Sequence, residues 1–162
     1  FRHPHIHGEY KANNAQEVSE RWEQVKLKEK GGNKTVLAGI PESLPALVKA
    51  YRIQDKVANV GFDWEKREDV WAKVKEEIAE FEVEVDHMDE AKATEEMGDL
   101  IFALVNAARL YNIRPDNALE KTNAKFIKRF NYIEQKAKEK GQSLNEMTLD
   151  EMEALWQEAK KA

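Results

Sequence analysis

Apolar positions along the chain recur mostly at steps of three and four, the spacing that lines one face of an α-helix. No stretch alternates with period two for more than a few residues. Six helices are predicted. Ala15, Val18, Trp22 and Val25 mark the first, capped by Asn13 or Asn14 and closed by Gly31 and Gly32. After an irregular connection to Pro41, Ser43 and Pro45 start a second helix that runs to about Val60 and stops at Gly61. It carries two stripes, one of Ala46, Ala50, Ile53, Val57 and Val60, the other of Leu44, Leu47, Val48, Tyr51 and Ala58, so it should be covered on two sides. A third, from about residue 67 to 88, has the stripe Trp71, Val74, Ile78, Phe81, Val85 and Met88. The fourth, from about 90 to 110, is apolar nearly all round from Leu100 onward and is expected in the middle of a bundle. Pro115 and Asp116 then interrupt the chain. The fifth runs from about 117 to 140 through Leu119, Phe126, Phe130 and Ile133, with Gly141 as its stop. Thr148 and Glu151 form a capping-box pair for a short last helix bearing Leu155 and Trp156. Short connections between the third, fourth and fifth favour antiparallel neighbours, giving an all-α, antiparallel helical bundle.

Residues 1–12 lack this periodicity, and Pro4 with Gly8 makes them a poor helix, so they read as a linker or the tail of a preceding domain. Residues 13–162 then form one helical domain, a size that can bury a sizeable core. No apolar run approaches the roughly 20 residues that a bilayer requires, so no membrane association is expected. The chain has no cysteine, hence no disulfide and no thiolate metal site. With no recognisable secretory leader either, a cytoplasmic location is expected. The excess of 31 acidic over 26 basic residues, a net charge of −5, disfavours binding a nucleic-acid polymer. A bound nucleotide would need a local basic cluster or a metal. His3, His5 and His7 read as chance histidines of a linker, and His87 as a helix end.

Candidate chemistry lies on the third and fourth helices. At 100° per residue, Lys73, Glu77, Glu80 and Glu84 fall within an arc of roughly 60° beside the apolar stripe. The fourth helix offers Glu96 and Asp99, three residues apart, immediately before its most apolar stretch. Two acidic pairs facing inward on neighbouring helices would repel one another, and ionised carboxylates taken out of water cost several kcal/mol each unless paired. A cation resolves that conflict. Oxygen ligands without nearby histidine or cysteine suit a hard divalent ion, Mg²⁺ above all and Mn²⁺ as an alternative, which shares its remaining positions with phosphates. On the fifth helix, Lys125 and Arg129 are spaced i, i+4 on a face away from Phe126 and Phe130, with Asn123 and Lys128 nearby, and could hold phosphate oxygens. Trp156 could stack on a base or close the core. The competing account is a non-catalytic interaction module with a solvated acidic face. A di-iron centre is disfavoured because it wants Glu-x-x-His on two helices, and the sequence offers only Glu84-x-x-His87.

The string Glu76-Glu77-x-x-Glu80, fifteen residues, then Glu96-Met97-Gly98-Asp99-Leu100 resembles the signature of MazG-type nucleoside triphosphate pyrophosphohydrolases. The likeness extends through Val60-Gly61-Phe62-Asp63-Trp64 and through Asn123-Ala124-Lys125-Phe126-Ile127-Lys128-Arg129-Phe130. It implies an all-helical homodimer, Mg²⁺ bound by Glu77, Glu80, Glu96 and Asp99, and hydrolysis of a triphosphate to monophosphate and pyrophosphate in a housecleaning or nucleotide-pool role. It also implies nucleotide contacts from the Lys73 to Glu77 segment, Lys92, Glu95, Lys125 through Arg129, and Trp156. Longer members of the family carry two such regions, and the opening Arg2-His3-Pro4-His5 looks like the end of the first, so a C-terminal half is expected here. For the base that activates water, Glu76 and Glu95 both qualify, and Glu76 is preferred; Glu80 is the second catalytic candidate.

Overall fold

The computed structural model describes residues 21–22 and 35–162. Arg21 and Trp22 are helical, as the first stripe predicts. The rest of that helix, the 1–12 tail and its three histidines lie outside the described residues. Five α-helices and no strand occur among the described residues. The chain divides into two compact units, residues 1–115 and 116–162.

In the first unit, α1 (Ala46–Ala58), α2 (Val70–Asp86) and α3 (Glu90–Leu110) follow one another, with a 3-10 turn at Arg67–Asp69 leading into α2. Both α1 and α2 pack on α3. Gly61 ends the α1 region as expected: the amides of Gly61 and Phe62 donate back to the carbonyls of Ala58 and Val57 at 3.0 and 2.9 Å. That reversal needs the positive φ of 96° at Gly61, a conformation a side chain would strain. Asp89 caps α3, its carboxylate accepting the Lys92 amide at 3.1 Å, so the break between α2 and α3 is only three residues long and the two helices double back on each other. Their seam is closed by Val70, Val74, Ala103 and Ala107, with Leu100, Leu110 and Tyr111 packed around them. Alanine at two of these positions lets the backbones approach closely.

The buried face of α2 differs from the predicted stripe. Val70, Val74 and Glu77 are its buried residues, while Trp71, Ile78, Val85 and Met88 are 39% to 88% exposed. Val74 belongs to both the predicted stripe and the buried set, and Phe81 is half-buried, so the buried face is the predicted stripe turned towards Val70 and Glu77. Trp71 is tied down on the exposed side by Tyr111, whose hydroxyl accepts its Nε1 hydrogen at 3.1 Å, with the Arg67 guanidinium 4.8 Å from the tyrosine ring centre. The fourth predicted helix, α3, is likewise not enclosed all round: Ala103, Val105 and Ala107 are buried, but Ile101, Phe102 and Leu104 are each more than two-fifths exposed. By contrast, both predicted stripes of α1 are partly covered, through Leu47, Val48, Tyr51, Ile53 and Val57.

In the second unit, α4 (Pro115–Glu139) and α5 (Leu149–Lys161) flank a 3-10 turn at Leu144–Glu146. Pro115 opens α4 instead of standing before it, because proline's missing N–H is no loss in a first helical turn. Gly141, at φ 64°, closes that helix. The predicted cap of the last helix forms, with the Thr148 hydroxyl accepting the Glu151 amide at 3.2 Å. No described helix is long and apolar enough to cross a membrane.

Candidate active site

Because Val70, Val74 and Glu77 follow one another at four and three residues, Glu77 occupies the position where the next core side chain of α2 would stand. It is 5% exposed. Glu76 and Glu80 flank it on the exposed side, and one carboxylate oxygen from each of the three lies within 4.8 Å of the others. A second group forms across the α2–α3 seam, where Glu77, half-buried Glu96 and exposed Asp99 bring oxygens within the same 4.8 Å. Glu77 belongs to both groups. All four residues expected to hold a metal are therefore gathered here, three in one group and Glu80 in the other.

The local electrostatics are unbalanced. Lys73, one turn before Glu77, donates to its Oε1 at 2.8 Å and approaches Glu76 Oε1 at 3.4 Å. Its ammonium is held protonated above the ordinary lysine range, first by the hydrogen bond to Glu77 and then by the charges of Glu77 and Glu76. Glu77 Oε2 and Glu96 Oε2 are both buried without a hydrogen-bond partner. The Glu80 carboxyl is pushed above the usual carboxylate range, by lost hydration first and then by the charge of Glu77 and a hydrogen bond shared with Glu96. An assembly of carboxylates with orphaned oxygens fits a hard divalent cation, which favours oxygen donors and supplies the missing charge.

The remaining expected residues are placed as follows. Lys92 and Glu95 are exposed on the first turns of α3, Lys92 using its backbone amide for the Asp89 cap. In the second unit Asn123, Lys125 and Lys128 are exposed on α4. Arg129 is not on a face apart from the aromatic side chains: its guanidinium lies 5.5 Å from the centre of the Trp156 ring. That ring in turn sits 5.1 Å from Phe126, itself stacked on Phe130 at 6.4 Å. Trp156 thus joins α5 to α4 while staying half-buried.

Three residues went unnoticed in the sequence, and Asp63 entered only as part of the Val60 to Trp64 turn, without a role. A cavity of about 520 Å³ in the first unit is lined by Gln54 of α1, Asp63 of the following turn, and Asn106 and Arg109 of α3, and Lys73 reaches its wall from the carboxylate side. Arg109 forks onto Asp63 at 2.6 and 3.3 Å and donates to Asn106 Oδ1 at 3.1 and 2.9 Å. A signal did exist: Gln54 stands at i+4 from Ala50 and i−3 from Val57, a polar residue within an apolar stripe.

Comparison with known proteins places a family match on the same helices. Residues 65–133, which span the turn into α2, all of α2 and α3, and most of α4, match the family model described as "MazG nucleotide pyrophosphohydrolase domain". The chain is 43% identical over 99% of its length to the "Nucleoside triphosphate pyrophosphohydrolase" of Escherichia coli (strain K12), covering 62% of that protein. It is 36% identical over 98% of its length to the "Nucleoside triphosphate pyrophosphohydrolase/pyrophosphatase MazG" of Thermotoga maritima, covering 60% of it. It is also 48% identical over 99% of its length to the "Uncharacterized protein YabN" of Bacillus subtilis, covering 33% of it. The chain thus spans about three-fifths of the first two relatives and a third of the last. With the acidic residues of the motif gathered on two packed helices inside it, the segment 65–133 is what matches the MazG nucleotide pyrophosphohydrolase domain, and 99% of the chain is similar to the Escherichia coli pyrophosphohydrolase.

Proposed function

We propose that this chain hydrolyses nucleoside triphosphates to the monophosphate and pyrophosphate, using Mg²⁺, with Mn²⁺ as an alternative, held by Glu77, Glu80, Glu96 and Asp99. The observation that carries this is the pair of buried, unpartnered carboxylate oxygens, Glu77 Oε2 and Glu96 Oε2, in one acidic group across the α2–α3 seam. Two such oxygens in a protein interior are costly unless a cation is shared between them. Relatives of similar sequence bear names that state the same activity.

When bound, the ion would neutralise phosphate oxygens and acidify a water. Lys73, fixed by Glu77 and Glu76, presents its ammonium beside the cluster and counters the polyphosphate charge. Glu76 is exposed and only weakly engaged, at 3.4 Å from Lys73, which leaves its carboxylate free to take the proton of the attacking water. Lys92 and Glu95, together with Asn123, Lys125, Lys128, Arg129 and Trp156, are assigned to nucleotide contacts. A second copy of the chain would cover the exposed Ile101 and Leu104 of α3, forming the homodimer.

Product analysis tests the activity directly. Incubating the chain with each common ribo- and deoxyribonucleoside triphosphate should release pyrophosphate, and not phosphate, only when Mg²⁺ or Mn²⁺ is present. Asp99→Asn should abolish release while helical content stays unchanged. Turnover undiminished in that variant, or in excess chelator, would remove the proposal. Sedimentation at micromolar concentration should give the mass of a dimer, and a monomer would exclude that state.

A further inference from the structure

We infer that the Lys73 ammonium is a built-in competitor of the divalent ion for Glu77, and that it passes to the polyphosphate once the ion takes that carboxylate. This deepens the reading of the acidic site as a metal centre and rests on it. Glu77 is the residue common to both acidic groups, so an ion held by either group draws on its charge. The same carboxylate carries Lys73, whose Nζ lies 2.8 Å from Oε1, while Oε2 is buried and unpartnered. One negative charge is then divided between an ammonium and a divalent ion, and the two cations repel each other. Each therefore weakens the hold of the other on Glu77.

Three features make the lysine the partner that yields. Its ion pair spans i to i+4 with the lysine nearer the helix N-terminus, the less favourable order on an α-helix. Its side chain is 40% exposed against 6% for Glu77, so the ammonium regains water on leaving while the carboxylate stays in the core. Its charge sits at the end of a flexible stem of four carbons, which can turn away without any movement of α2. An ammonium freed beside the cluster is the point charge that a phosphate chain needs. Ion and polyphosphate then favour one another's binding, because the first releases the cation that the second engages, and such coupling is reciprocal. Lys73 thus balances Glu77 before the ion arrives and balances the phosphates afterwards, so the chain needs no second fixed cation for either task.

The test is calorimetric titration of Mg²⁺ alone into the full chain and its variants, with no nucleotide present. Lys73→Met keeps most of the stem and removes the charge, and should bind Mg²⁺ about fivefold or more tightly than the parent. Lys73→Gln still offers Glu77 a hydrogen bond and should show the same gain, since charge is what competes. Lys66→Met removes an exposed charge just before the turn into α2 and should change the affinity by less than about twofold. Nitrogen-15 spectra of the lysine ammonium groups follow the exchange directly. The signal that Lys73→Met deletes should stand apart from those of exposed lysines without Mg²⁺ and join them at saturation. The inference is overturned if Lys73→Met binds Mg²⁺ no better than the parent, or if Lys66→Met gains as much. A Lys73 signal that Mg²⁺ leaves unmoved overturns it as well, and so does a Lys73→Gln chain that keeps the parent's affinity, which would reduce Lys73 to a structural hydrogen bond. Failure of the metal reading would look different, with no uptake of Mg²⁺ by the parent or by any variant.

Discussion

Replacing Glu77 with glutamine separates the cost of the buried carboxylate from its use. In the metal-free chain, Glu77 Oε2 and Glu96 Oε2 are two buried acceptors without donors, each costing about 1–3 kcal/mol. A glutamine at 77 can keep an oxygen towards Lys73 and turn its amide hydrogens towards Glu96, whose carboxylate lies in the same group. What is lost is the charge of one ion pair whose lysine is 40% exposed, worth about 1 kcal/mol or less. Without metal, Glu77→Gln should therefore be as stable as the parent or up to about 2 kcal/mol more stable. Mg²⁺ reverses the order. An ion at a hundred times its dissociation constant stabilises the native parent by about 2.7 kcal/mol, which for a chain of this length raises Tm by about 5–11 °C. The variant, lacking the ligand common to both acidic groups, should gain less than about 2 °C. Paired thermal melts in EDTA and in saturating Mg²⁺ read both numbers. An equal Mg²⁺-induced rise in parent and variant would refute the placement of the ion, and a variant much weaker in EDTA would refute the account of an unbalanced core.

Two further outcomes follow from the same geometry. Glu80 holds its proton to higher pH in the folded chain than the ordinary 4.5, so the native state binds more protons there than the unfolded one. Metal-free stability should fall as pH rises from that value through the raised pKa, and Glu80→Gln should flatten this limb in melts across the range; parallel slopes for both proteins would contradict it. Arg109→Ala strands Asp63, which is a quarter exposed, and unpairs Asn106 Oδ1; since breaking a buried pair costs about 3–5 kcal/mol and Asp63 keeps some water, a loss near 3 kcal/mol is expected. Urea titration measures it, with part of the loss regained on adding Asp63→Asn, and a loss below about 1 kcal/mol would mean the fork does not hold the turn to α3.

Much of this molecule was legible in residue spacing, and the exceptions have physical causes. Helix limits came out within a few residues because glycine, proline and cap residues act locally: Gly61, Gly141 and Thr148 all mark the ends they were expected to mark. The four metal-ligand candidates were legible because i, i+3 pairs on adjacent helices constrain one another. Gln54, Asp63, Asn106 and Arg109 were not, since a cavity arises from contacts 40 or more residues apart, such as Gln54 with Phe102 and Asp63 with Arg109. Nor could spacing place Arg129, whose position over Trp156 depends on how α5 folds back on α4.

The partial shift of the buried face of α2 is the most informative of these differences. A stripe is found by asking where apolar residues concentrate, so Glu77 is left at its border although it stands in the buried set with Val70 and Val74. Here Val70, Val74 and Glu77 point inward while Trp71, Ile78 and Val85 stay partly exposed. A helix free to optimise packing alone would rotate the outer set inward, trading a buried carboxylate for three large apolar side chains at a gain of several kcal/mol. It does not, because the small residues Ala103 and Ala107 on α3 fit Val70 and Val74, and because Lys73 relieves part of the charge on Glu77. Local preference and tertiary packing therefore disagree along this one face, and such conflicts collect where a protein retains costly groups for chemistry. The same conflict explains why Glu77→Leu should pack well yet bind no ion: it would give α2 the inner face that its spacing lacks, and remove the one carboxylate common to both acidic groups.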